Sequence, residues 1–226
     1  MSGRNTANRE ERILSAAAKL IARYGYDKTT MSDIATAAGV AKGAIYLHWK
    51  SKEELFDALL KHEMLKLMND LLLRVESDTD GGSLPHLYRH ALMSMQANPL
   101  ISALYTRDSQ ILGSYIHQQD NSRYLERFRF GRSFVETMQT AGLVRKELDA
   151  DSLAYLLFVI AYGFTGIGSI VPADQAPSFD QIADVLDELF SHGAALDGGD
   201  TNAGKEIVRQ SVALIHQQYH PQEGKS

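Results

Sequence analysis

No cysteine occurs anywhere in the 226 residues. Disulfides, thiolate metal sites and cysteine nucleophiles are thereby excluded, and a reducing, cytoplasmic setting is expected. Alternation of apolar and polar residues with strand character is missing too, so no sheet is expected. No internal repeat stands out. There is no glycine-rich phosphate loop, no Gly-x-Ser-x-Gly elbow and no His-Glu-x-x-His pair, and the carboxylates are scattered; the sequence holds no catalytic set and reads as a non-enzyme. The opening residues MSGRNTANRE lack the apolar core of a signal peptide. Excess positive charge is lacking as well: the balance is −5, which speaks against a protein coated for nucleic acid.

One stretch lacks charge altogether. Ser152 to Ala173 is long enough to cross a bilayer, which takes about 20 residues. It also carries Tyr155, Tyr162, Thr165, Ser169 and three glycines, with acids flanking it at Asp149, Asp151 and Asp174. A helix buried inside protein is expected there, and no membrane partner.

What is present is a segregation of charge and a helical period. Residues 1–50 hold eight basic and four acidic side chains, a net of +4, which leaves 15 basic and 24 acidic, a net of −9, for 51–226. A basic head on an acidic body suggests that only the head meets a polyanion. Every periodic segment has the 3.6-residue stripe. Ile13, Leu14, Ala17, Leu20, Ile21 and Tyr24 lie on one face of a helix that Gly25 stops. A longer helix is expected from about 51 to 75, broken by DTDGGS. Further helices fit about 83–97, 100–115, 121–141, 150–170, 179–192 and 204–219.

Between the first and the long helix lie two short ones. Thr30-Met-Ser-Asp33 reads as a capping box that opens a helix over about 31–38, and Gly39 suits the left-handed turn that ends it. A second helix is expected over about 42–49, with Ile45 and Trp49 inward and Lys42, Ala44, Tyr46, Leu47, His48 and Lys50 outward. Ser51-Lys-Glu-Glu54 reads as another capping box. This is the plan of a helix-turn-helix, in which the first helix braces and the second enters the major groove of DNA. Lys50 and Lys52 fall near a helix N-terminus, where phosphate is favoured.

The stretch AAAKLIARYGYDKTTMSDIATAAGVAKGAIYLHWKSKEELF resembles the DNA-binding domain of TetR-family transcriptional regulators. It carries a helix ending in Tyr-Gly, paired threonines, Ala-x-x-Ala-Gly-Val and Gly-x-Ile-Tyr-x-His-Trp-Lys-Ser-Lys-Glu-x-Leu. The resemblance covers about a fifth of the chain and implies an all-α fold of about nine or ten helices. Residues 1–50 would form a three-helix DNA-binding domain with a disordered arm over 1–8, and 51–226 a larger effector-binding and dimerisation domain. It further implies a homodimer on a near-palindromic double-stranded operator. Thr29 and Thr30 would anchor phosphate at the bracing helix; Lys42, Gly43, Ala44 and Leu47 would face bases; Tyr46, His48 and Lys52 would hold the backbone. Gly43 departs from the proline or serine often met at that place. Arg4, Arg9 and Arg12 make either an arm toward the minor groove or a disordered tail.

In the body, aromatic and methionine side chains suit a small hydrophobic or aromatic effector: Tyr88, Met95, Tyr105, Phe128, Phe134, Met138, Tyr155, Phe158 and Tyr162. The glycines of AYGFTGIGS allow close helix approach, so Tyr162, Gly163, Gly166 and Gly168, with Ile182 and Leu186, are candidates for the dimer interface. His86 and His90 have a spacing that can seat a metal, but no third ligand is identifiable, and neither metal nor cofactor is expected. The function expected is a repressor switched by a small molecule. An activator or effector-blind regulator of the same fold, and a helical-bundle binding protein or enzyme, stay as alternatives.

Overall fold

The computed structural model describes residues 2–118 and 122–219, with the side chains of 2–7, 118, 122–128 and 169 left out. Among the described residues there are eleven α-helices, two short 3-10 helices and no strand. One isolated antiparallel bridge joins Val144 and Ala195. The chain divides into two compact units, one of Met1–Lys66 with Asn98–Asp120 and one of Leu67–Ala97 with Asn121–Ser226.

The first unit opens with α1 (Ser2–Tyr24). Ile13, Leu14, Ala17 and Ile21 of the expected stripe are buried; Tyr24 is not, and lies exposed under the Arg23 guanidinium. The disordered arm expected over 1–8 is corrected from Ser2 onward, because α1 already runs there. Extending a nucleated helix costs little, and Gly3 is the only glycine or proline before Gly25. Gly25 ends the helix at φ +83°, and a Cβ there would stand 2.5 Å from the Gln110 carbonyl oxygen.

Next come α2 (Met31–Ala38), α3 (Lys42–Tyr46) and α4 (Lys52–Ser77). The helix expected over 42–49 stops at Tyr46. The Ile45 carbonyl takes both the His48 and the Trp49 N–H, and this tightening swings Trp49 into the core. The stretch expected as one helix over 100–115 is three elements: α6 (Pro99–Thr106), α7 (Ser109–Leu112) and a 3-10 helix (Gly113–Gln118). Arg107, at φ +53°, breaks the first from the second. All pack on one core in which Ile13, Ile34, Ile45, Phe56, Tyr26 and Tyr115 are almost fully buried.

The second unit holds the end of α4, then α5 (Leu84–Gln96), α8 (Ser122–Thr140), α9 (Ala150–Gly166), α10 (Phe179–Gly193) and α11 (Thr201–Tyr219). Its core gathers Val75, Leu87, Val135, Met138, Leu153, Phe190 and Val208. Arg89 of α5 ties α10 by hydrogen bonds to Asp184 and Asp187, at 2.9 and 2.6 Å. The uncharged run forms α9 and the 3-10 turn Ile167–Ser169. Among the described residues no helix is long and apolar enough to cross a membrane.

Candidate nucleic-acid interface

Helix α2 is fixed at both ends. Thr30 sits at its N-cap with the capping box complete: the Asp33 N–H donates to Thr30 Oγ1 at 3.2 Å, and the Thr30 N–H to Asp33 Oδ2 at 3.0 Å. Those Thr30 hydrogen bonds hold the Asp33 carboxyl below its usual range. At the other end Gly39 is left-handed, its N–H donates to Thr36 O and the Val40 N–H to Ala35 O, which closes a Schellman turn. Arg12 donates to the carbonyls of Ala38 and Gly39. It therefore braces the C-terminus of α2, and the reading of Arg12 as part of a DNA arm is dropped.

This bracing presents α3 and its exit outward. Ile45 and Trp49 are buried, whereas Tyr46 is 44% and Leu47 82% exposed. Lys42, Gly43 and Lys50 are exposed, and Ala44 and His48 are half-buried. A Cβ on Gly43 would meet nothing within 4 Å, so the fold itself does not require glycine there. Lys42 Nζ lies 6.0 Å from the Tyr46 ring centroid, and the His48 ring stacks obliquely near Trp49. The second capping box is half formed. Glu54 N–H donates to Ser51 Oγ at 3.1 Å, but the Glu54 carboxylate accepts from the Lys50 N–H at 2.7 Å.

Two expected phosphate anchors are turned inward. Thr29 is 2% exposed, and its hydroxyl donates to the Gly25 carbonyl at 2.9 Å. The turn after α1 consumes that donor. Lys52 Nζ donates to the carbonyls of Tyr26 and Thr29, at 3.0 and 3.3 Å, and lies 4.1 Å from the Tyr26 ring centroid. Its charge is spent on the loop before α2. Thr30 stays exposed, with its hydroxyl donating to Asp33 Oδ2 at 2.7 Å. Asp27 and Ser114, absent from the sequence-based site, and Arg12, expected only in an arm or tail, hold the head together.

The effector candidates scatter. Met95 and Met138 are core residues, Tyr88 and Phe134 are half-buried, and the Tyr88 hydroxyl donates to the Leu157 carbonyl. Tyr105 belongs to the first unit. The Phe128 side chain lies outside the described residues, and Phe158 is half-buried. Tyr155 and Tyr162 are exposed on α9, where Asp151, Ser152, Tyr155, Leu156 and Val159 line an open groove of about 540 Å³. Their alternation with buried Ala154 and Ala161 sends them outward, so they are withdrawn as lining of an enclosed pocket.

Of the dimer candidates, Gly163 and Gly168 are exposed, with open space where a Cβ would sit, and Gly166 is half-buried. Ile182 and Leu186 are half-buried, Leu186 against its own unit's core, while Val185 and Leu189 one step along are exposed.

A short helix held outward by a capped brace on a basic head defines a helix-turn-helix DNA-binding protein. Residues 13–59 match the family described as bacterial regulatory proteins, tetR family. The chain is 29% identical over 182 residues to the probable HTH-type transcriptional regulator ArpR of Pseudomonas putida, covering 76% of this chain and 84% of that one. Three regulators of Bacillus subtilis align over only 52 to 77 residues, 25% to 40% of their own length. Among solved structures, FadR from Bacillus subtilis in complex with stearoyl-CoA superposes with a TM-score of 0.58 at 20% identity, over 81% of this chain and 98% of that one. A SmeT–triclosan complex gives 0.62 at 18%, over 84% and 93%. Residues 13–59 thus carry a TetR-family DNA-binding domain: the protein is a DNA-binding transcriptional regulator, and the relatives it resembles are regulators, not enzymes.

Proposed function

We propose that this regulator is a homodimeric repressor that leaves a near-palindromic operator when a small hydrophobic or aromatic molecule binds its helical body. The observation that carries the reading is the pose of α3. Its exposed side holds Lys42, Gly43, Tyr46 and Leu47, and it is braced by a doubly capped α2. Small groups at Gly43 and Ala44 let the backbone approach base edges, and Leu47 offers an apolar contact. Lys42, Tyr46, His48 and Lys50 supply donors for phosphate, with Thr30 at the edge. Residues 1–50 do the reading in this account, and 51–226 the sensing and pairing.

The ligands in the two superposed structures, stearoyl-CoA and triclosan, support an effector with a large apolar part. Met95, Met138, Phe134 and Tyr88 suit such a molecule. Pairing is supported by the exposed apolar side chains of α9 and α10. Two recognition helices must sit about 34 Å apart to enter successive major grooves. An effector that favours a different separation therefore releases the dimer. Helix α4, which starts in the head and ends in the other unit, is the element to carry the change.

The test is an anisotropy titration of the full chain against the DNA upstream of its own gene. Lys42→Ala combined with Tyr46→Ala should weaken binding at least a hundredfold, since contacts to charged groups contribute roughly 1.5–3 kcal/mol each. Wild-type affinity should also fall steeply with salt, by about 0.9 log units per log unit of salt for each phosphate neutralised. Unchanged affinity in the double variant overturns the reading.

A further inference from the structure

We propose that the segment from Gln110 to Tyr115 is a positioning element of the DNA-reading head, acting through an Asp27–Ser114 latch on the loop that launches α2. The inference rests on the reading that α3 meets DNA. It concerns a part of the chain some fifty residues beyond the stretch that matches the family pattern, which ends at residue 59.

The loop over 25–30 has little freedom left. Its Gly25 carbonyl accepts from Thr29 Oγ1, and its Tyr26 and Thr29 carbonyls accept from Lys52 Nζ. A further set of contacts comes from one distant segment. The Tyr26 N–H donates to the Ile111 carbonyl at 2.8 Å. The Asp27 carboxylate accepts the Ser114 N–H, at 3.1 and 3.0 Å to its two oxygens, and the Ser114 hydroxyl at 2.6 Å. Those Ser114 hydrogen bonds hold the Asp27 carboxyl below its usual range.

Two glycines make the approach possible. Gly25 has no Cβ to meet the Gln110 carbonyl. Gly113 stands at φ +53°, ψ −138°, a conformation that L side chains rarely adopt, and a Cβ there would collide with the Asp27 carboxylate. Behind the latch, the Tyr115 hydroxyl donates to Asp57, and the Tyr26, Phe56 and Tyr115 rings pack with centroids 4.5 to 5.7 Å apart.

The far end of the same segment is also anchored. Asn98, the N-cap of α6, donates to the buried Glu63 carboxylate at 2.8 Å and to the Glu63 carbonyl at 3.2 Å. Residues 98–115 thus form a clip from the middle of α4 to the loop before α2. Asp27 is three residues from Thr30, the cap that fixes where α2 starts. Nothing along Lys28–Thr29 can absorb a shift, because Thr29 is buried and bonded on both sides. A displacement of Ser114 is therefore passed on to α2 and, through the Gly39 turn, to α3.

Trp49 is the only tryptophan in the chain and is buried at the exit of α3, so its fluorescence reports the setting of that helix directly. The experiment compares wild type, Ser114→Ala, Asp27→Ala, the double variant and Gly113→Ala as full chains. Melting, Trp49 emission with acrylamide quenching, and operator affinity are measured for each. Ser114→Ala and Asp27→Ala should each shift Trp49 emission or raise its quenching and weaken operator binding five- to tenfold, with near-wild-type melting. The double variant should be no weaker than the worse single one, which marks a shared interaction. Gly113→Ala should do the same or more; should it fail to fold, Ser114→Ala still decides. Affinity within twofold of wild type with unaltered emission overturns the proposal. So does an affinity loss that only tracks a lower folded fraction. A wild type without operator affinity would sink the DNA reading itself, while the Trp49 measurement would still settle whether Ser114 sets α3.

Discussion

Asp78 Oδ2 takes hydrogen bonds from two imidazoles at once, His86 Nδ1 and His90 Nε2, each at 2.8 Å. His90 Nδ1 is buried with no partner. The economical tautomer has Nε2–H donating to Asp78, which leaves Nδ1 a bare lone pair and not an orphaned N–H. Burial works against the Asp78 charge, but the bonds from His86 and His90, with the Asp80 N–H, outweigh it and bring the carboxyl down to about 2. A folded-state value below the unfolded one, about 3.9, means stability that is present above the unfolded value and lost as pH falls through the folded one. The contribution is about 2 kcal/mol at neutral pH, and it should fade between about pH 4 and pH 2. Asp78→Asn should thus lower the melting midpoint by roughly 5 °C at pH 6, with the gap to wild type narrowing from about pH 4 downward and closing only below about pH 2. A gap that persists in acid would assign the loss to packing. The spacing of the two histidines is plain in the sequence, but their partner is not. Asp78 reaches them only because the DTDGGS turn folds back, and among the described residues no group of three such side chains is arranged to hold a metal.

At the scale of elements, what could be read from sequence was whatever is encoded locally. Thr30, Asp33 and Gly39 are near neighbours, and the helix they cap runs where they imply. The break at Arg107 was illegible because a non-glycine residue enters the left-handed region there, next to contacts with a loop some eighty residues upstream. The pair Gly81-Gly82 reads as a turn, yet its tighter constraint is also long-range. A Cβ on Gly82 would collide with the Thr201 carbonyl, and one on Gly204 with the Gly82 carbonyl, so the end of the α4 turn and the start of α11 touch backbone to backbone. Backbone cannot yield as a side-chain tip does. Gly204→Ala should therefore cost about 2–3 kcal/mol, roughly 5–10 °C in melting midpoint. Gly43→Ala, with open space around it and a helical backbone, should leave the midpoint unchanged or raise it slightly. Equal effects of the two in differential scanning fluorimetry would refute this account of the glycines.

For the whole molecule, the uncharged run that looked long enough for a membrane finds a different use in the proposed homodimer. Tyr155, Leu156, Val159 and Tyr162 of α9 and Val185 and Leu189 of α10 are all about half exposed or more. On a single soluble chain such large apolar side chains, repeating at helical spacing, are an unmet demand for burial. The sequence exposed the run and its glycines; on α10 the proposed contact moves from Ile182 and Leu186 to the adjacent stripe, because the first two are half-buried. Ile182 and Leu186 belong to the stripe nearer the core, whereas Val185 and Leu189, each 60% or more exposed, are on the open side. A helical period locates a stripe from sequence; which of two adjacent stripes meets the core depends on the neighbouring helices. Val185→Glu with Leu189→Glu should place two charges in the pairing surface and give a monomer by light scattering. Because neither side chain is in the single chain's buried core, the monomer should stay folded, with Trp49 emission that of wild type and a melting midpoint lowered only by the loss of its partner. Operator affinity should nevertheless drop a hundredfold or more, since two heads joined in a dimer bind the second half-site at an effective concentration near millimolar, and separate heads do not. A variant that stays dimeric would remove α10 from the interface. A monomer that binds the operator as tightly as wild type would remove the need for pairing, and with it the idea that an effector acts by changing the distance between two heads.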